Sequence, residues 1–300
     1  MSRLHSRRLV ALIAGLSSIA LVGACTAGGG YTYGGPPQAN RTFKATSVTV
    51  NHSNDGCFLF CPYNDEPKVV NIGFRAIMGT PNSASGFVVS GANHWNGVFE
   101  QGPGEGQSYN YQGAEQAPAT FNNLLMPDVA DLLQGAHLEI AGVWAWKVED
   151  DGILAANVND IALAIVPAIV AALNQTIAIA SVPSDTSQIV NAVLAAIGNL
   201  GFFQLFSTVF TGLLNNLNIS SDDVVGSSMY VGIGSSGTLA SIIEPVVGSI
   251  AFPTVAIPTL IVPPDIGGGK IFSLSYAHNF TDSTTNGGVD GQHTTTYNIS

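Results

Sequence analysis

Val143-Trp144-Ala145-Trp146-Lys147-Val148-Glu149-Asp150-Asp151-Gly152 begins as a strand and ends in three adjacent carboxylates. Leu138, Ile140, Trp144, Trp146 and Val148 alternate with His137, Glu139, Ala141 and Lys147. Side chains of a strand point to opposite faces with period two, so the pattern predicts one apolar and one more polar face. Like charges side by side repel by about 1 kcal/mol per pair in water. A run of three therefore needs either solvent or a cation at the end of its strand.

Working outward, strand rhythm appears upstream at about Phe43–Val50, Pro67–Met78, Gly86–Ser90 and near Trp95–Glu100. In Pro67–Met78 one row holds Lys68, Val70, Ile72, Phe74, Ala76 and Met78, and the other Asn71, Gly73 and Arg75. Gly102–Gly113 reads as a glycine-rich loop and Pro127–Gln134 as a short helix stopped before Gly135. Downstream the composition changes. Asn157 and Asp160 look like the start of a helix running to Val182, interrupted at Pro167, with further helices from Ser184 and from Gly198 to about Asn216. Strand signals return at Ser227–Ile233, Lys270–Phe280 and Gln292–Ile299, while the proline-rich Ile243–Gly269 reads as extended irregular chain. Neither flank alone supplies the seven or so strands of a sandwich. The expected fold is one antiparallel β-sandwich over 42–300, interrupted by a block of apolar helices at about 153–218.

The amino terminus carries an export signal. Arg3, Arg7 and Arg8 precede an apolar run that ends in Leu21-Val22-Gly23-Ala24-Cys25. The small residues before Cys25 resemble the bacterial lipobox, which implies loss of 1–24 and lipidation of Cys25. Residues 25–41 then form a tether, and the chain is expected to sit outside the cytoplasm, anchored to the membrane or envelope. Three of the nine basic residues leave with the signal, so six face twenty acidic ones, a net charge of −14. Nucleic-acid binding needs a basic face and is excluded. Cys57 and Cys61 remain as a pair expected to form a disulfide.

Three acidic clusters lie at strand ends: Asp65-Glu66, Glu149-Asp150-Asp151 and Asp222-Asp223. If the helical block is an excursion between neighbouring strands, the last two clusters return to one end of the sandwich. Converging oxygen donors suit a hard cation such as calcium. Asp65-Glu66-Pro67-Lys68-Val69 resembles the Asp-Pro-Tyr-Val-Lys segment of the calcium-dependent phospholipid-binding domains of synaptotagmin and protein kinase C. Trp144–Asp151 resembles that family's strand ending in Asp-x-Asp, and Asp223-Val224-Val225-Gly226 its Asp-x-Ile-Gly. The resemblance covers these short segments and implies calcium ligands at Glu66 (or Asp65), Glu149, Asp151 and Asp223, with Asp55 as an extra. Glutamate stands where the family has aspartate before the proline, and the family's basic lipid-contacting strand is absent.

Gly232-Ile233-Gly234-Ser235-Ser236-Gly237 matches GxGxxG after a strand, but Pro245 is expected to stop any following helix, which leaves a glycine-rich turn. No GxSxG or HExxH occurs. The expected function is a non-enzymatic, lipid-anchored binding module of the envelope, with calcium as its stabilising ion. One alternative is membrane insertion, pore formation or self-association through the apolar helices 158–217, of which Ile161–Val182 is long enough to span a bilayer. A second is a calcium-dependent hydrolase.

Overall fold

The computed structural model describes residues 34–53, 65–95, 102–149, 155–178, 180, 188, 191–192, 224–248, 250–251, 255–256, 265–266, 268–287 and 291–300. Its elements in chain order are β1 (Gln38–Ser53), β2 (Pro67–Ile77), β3 (Ser85–Ser90), β4 (Ser108–Asn110), β5 (Ala119–Leu125), α1 (Val129–Leu133), β6 (Glu139–Glu149) and α2 (Ala155–Thr176). There follow β7 (Val224–Ile233), α3 (Gly237–Val247), β8 (Val255–Ala256), β9 (Asp265–Ile266), β10 (Ile271–Ser273), β11 (Phe280–Gly287) and β12 (Gly291–Ile299).

Two sheets face each other. One runs β11-β12-β1-β4, with β5 also paired to β1; the other runs β3-β2-β6-β7-β9-β8, with β10 also paired to β7. The first is antiparallel, whereas β7 pairs in parallel with β9 and β10, which makes the second sheet mixed. The expected β-sandwich with a helical insertion is the fold found. β6 and β7 are antiparallel neighbours, so the insertion leaves and re-enters the sheet at one end.

β6 differs from its sequence reading in one respect: all its residues are buried. Trp144, Trp146 and Val148 join Val70, Ile72 and Phe74 under α2 and α3. Ala141, Val143 and Ala145 face Phe43, Phe121 and Tyr297 of the other sheet. The polar face is thus an interior face, and its charged side chains need internal partners. Glu139 has them in Arg75, which donates through Nε at 2.6 Å, and in the Leu125 amide at 2.7 Å.

α2 lays Val158, Ile161, Ala162, Ile165, Ile169 and Leu173 on the sheet, at the three- and four-residue spacing of a helical stripe. It begins two residues before the expected Asn157 cap and passes through Pro167 without interruption. Pro167 lies on the outward side with Leu163 and Ala171, so the ring meets no packed neighbour. The described helix ends at Thr176, short of Val182. Gln188, Asn191 and Ala192 are helical, and the other residues of the expected second and third helices lie outside the described ones.

Three further expectations are corrected. Ile243–Gly269 opens inside α3, because Leu239, Ala240, Ile243 and Val247 form a buried stripe and Pro245 faces out. Lys270–Phe280 is a strand only over Ile271–Ser273; Leu274–Asn279 is a 3-10 turn that buries Leu274 and Ala277. Leu274 fills the space over Gly232, where a Cβ would meet its Cδ2 at 2.3 Å. The tether also ends sooner than residue 41, since Gln38 already pairs with Leu125 and Ala39 packs against the core between the sheets.

Candidate functional site: the polar interior at the acidic end

The ladder brings the start of β2, the end of β6 and the start of β7 together. Pro67 pairs with Glu149, and Val148 with Val224. Glu66 therefore sits beside the strand end that leads to Asp151, and the strand start that follows Asp222 and Asp223 lies one strand further on. Those three aspartates lie outside the described residues, as do Asp55, Cys25, Cys57 and Cys61. Among the described residues, no group of three histidine, cysteine or acidic side chains is placed to hold a metal ion.

Two of the expected ligands turn inward. Glu149 belongs by alternation to the face of β6 that carries Lys147, and it is 3 % exposed. Asp65 is fully buried, its Oδ2 2.5 Å from Nε2 of His293, itself 1 % exposed. Glycines crowd Asp65: a Cβ on Gly102 would lie 1.6 Å from its carbonyl oxygen, and one on Gly291 3.0 Å from Oδ2. Asp65 Oδ1, Ser53 Oγ and Thr295 Oγ1 are buried without a hydrogen-bond partner among the described residues. Ser53 thus makes no hydroxyl–imidazole bond to His293, the contact that a serine nucleophile takes from its base.

Lys147 lies one inward step before Glu149 and is 1 % exposed. It spans the gap between the sheets. Its Nζ donates to the carbonyl of Thr284 at 2.8 Å, to Thr284 Oγ1 at 2.6 Å, and to Asn286 Oδ1. The three donors of an ammonium are so met by three neutral oxygens. Burial holds the amine well below its ordinary pKa, and the more distant Asp282 pulls it back up only in part. Asp282 has its own partner in Lys270, at 2.5 Å.

A hydroxyl chain closes around this amine. Thr284 Oγ1 and Ser228 Oγ are 2.7 Å apart, and Ser228 Oγ donates to Asn286 Oδ1 at 3.0 Å. Asn286 Nδ2 donates to the Ser227 carbonyl at 3.1 Å. Tyr230 borders the chain, its hydroxyl 3.5 Å from Thr284 Oγ1, and burial raises its pKa. Sequence reasoning missed this cluster. It treats Lys147 as part of a polar face and the threonine-rich 281–286 as no strand at all, although β11 pairs with β12 along its whole length.

The glycine-rich motif lies elsewhere and is a turn, as expected, though a helix does follow it. Asp128 Oδ1 accepts the amides of Val129 at 2.7 Å and of Leu239 at 3.0 Å, so one carboxylate caps both α1 and α3. An anion already occupies the helix start where a dinucleotide phosphate would bind. Gly234 admits no side chain, since a Cβ would lie 2.0 Å from the Leu125 carbonyl oxygen.

Comparison with protein-family models, with curated proteins and with solved structures gives no match.

Proposed function

We propose that the protein is a non-enzymatic binding module of the cell envelope, held to the membrane through Cys25, with a calcium site at the acidic end of its sandwich. The strand register carries this reading. It sets Glu66 next to the strand end that leads into Asp151, and the strand start that follows Asp222 and Asp223 at the same end of the sheet, one strand further on. Carboxylate oxygens on loops are the donor type calcium takes, six to eight at 2.3–2.6 Å. The described residues place only Glu66 at the rim, so the site depends on those aspartates reaching it. Calcium at a hundredfold excess over its dissociation constant should stabilise the folded chain by about 2.7 kcal/mol. Thermal melts with and without millimolar calcium read this directly. Asp223→Asn should remove most of the gain and Asp290→Asn none of it; a melting temperature indifferent to calcium sinks the metal site.

One observation favours a second reading. The outward side of α2 presents Leu163, 50 % exposed, in line with Ala164, Pro167 and Ala171, and Val158–Thr176 is long and apolar enough to cross a bilayer. Replacing Cys25 by Ser decides between the two. The variant should leave the membrane fraction for the soluble one. If it stays, the apolar helices hold the protein there.

A further inference from the structure

We propose that Lys147 and Asn286 join as an intramolecular isopeptide bond, a covalent strut between β6 of one sheet and β11 of the other. The amine reaches across the interior to the Asn286 carboxamide, and among the described residues no carboxylate bonds to it there. Burial among neutral oxygens disfavours the ammonium, and the neutral amine has only two N–H donors for the three oxygens around it, which leaves its lone pair for the carboxamide. The carboxamide is fixed at both ends, with Oδ1 receiving Ser228 Oγ and Nδ2 held on the Ser227 carbonyl.

The step balances without a co-reactant. Nζ attacks Cγ of Asn286, and the new N–C bond forms as the C=O π pair moves onto Oδ1. One amine proton passes to Thr284 Oγ1, the Thr284 proton to Ser228 Oγ, and the Ser228 proton to Oδ1. As the tetrahedral carbon collapses, the Oδ1 proton goes to Nδ2, the C–Nδ2 bond breaks, and ammonia leaves. A primary amide and an amine have become a secondary amide and ammonia, with nothing oxidised or reduced. Two rigid sheets hold the partners in contact, and such positioning is worth effective molarities of about 10⁵–10⁸ M. Burial also shields the carboxamide from bulk water, which would compete as nucleophile.

Full-length protein is purified from membranes in detergent, denatured, digested with trypsin and a second protease, and mapped by mass. The expected product is one branched peptide joining the Lys147 and Asn286 segments, lighter than their sum by one ammonia, with no tryptic cut after Lys147. Asn286→Ala should return both segments as linear peptides, and Ser228→Ala should slow the appearance of the branch after synthesis. Intact linear peptides carrying Lys147 and Asn286, recovered in full from folded wild-type protein, overturn the proposal. So does a branch from Lys147 to any other residue. The wild-type map suffices on its own, so a variant that fails to fold does not obscure the answer.

Discussion

His293→Ala should destabilise the folded chain by about 3 kcal/mol, the upper end of the cost of leaving a buried polar group without its hydrogen-bond partner. Asp65 is fully buried, and Oδ2 has His293 while Oδ1 has no partner among the described residues. Without the imidazole, a buried carboxyl group would remain with neither oxygen bonded by a described side chain. The urea midpoint should fall while its slope stays unchanged. Asp65→Asn in the same background should restore much of the loss, because a carboxamide costs less than a carboxyl group to leave unpaired in the interior. A single-variant loss below about 1 kcal/mol would mean that the pair behaves as a solvated one.

Trp144→Ala should have an effect at least as large, about 3–5 kcal/mol, from a different cause. The indole is 1 % exposed between the second sheet and α2, stands edge-on to Trp146 at 5.3 Å between centroids, and donates to Ser227 Oγ at 2.9 Å. Truncation opens a cavity and strips a buried hydroxyl of its donor. Leu163→Ala on the outward side of α2 should change stability by no more than about 0.5 kcal/mol. Equal losses at the two positions would show that the outward side of α2 is covered in solution.

What the sequence disclosed follows from the range of its signals. Alternation along Trp144–Val148 and Val70–Ala76 is local, and it located the central strands and hence the sandwich. The same alternation says which residues share a face but not what covers that face, so Lys147 reads as part of a polar face and Glu149 as a calcium ligand, whereas both are interior. β11, with Thr281, Asp282, Ser283, Thr284 and Thr285 in a row, has no apolar rhythm; its pairing with β12 makes it a strand. The 3-10 turn after β10 is set by Leu274 packing over Gly232, a contact between distant segments. The Asp65–His293 pair joins residues at opposite ends of the chain, and nothing near Asp65 distinguishes it from a solvated acidic turn. Pro245 reads as a helix stop and Pro167 as a kink or interruption, yet each falls on the outward side of its helix, where the ring is tolerated.

The pairing of β1 with β12 has a consequence for the order of assembly. The first strand of the fold lies against the last, Phe43 opposite Ile299 and Val48 opposite Thr295. During synthesis β1 therefore emerges long before its partner exists, and one of its edges stays unsatisfied until β12 has been made. An open edge of that length invites pairing with other chains. Contacts so distant in sequence also form slowly. The sandwich closes only after β12 is delivered, and a truncation that removes this strand should leave an assembly intermediate in need of a chaperone.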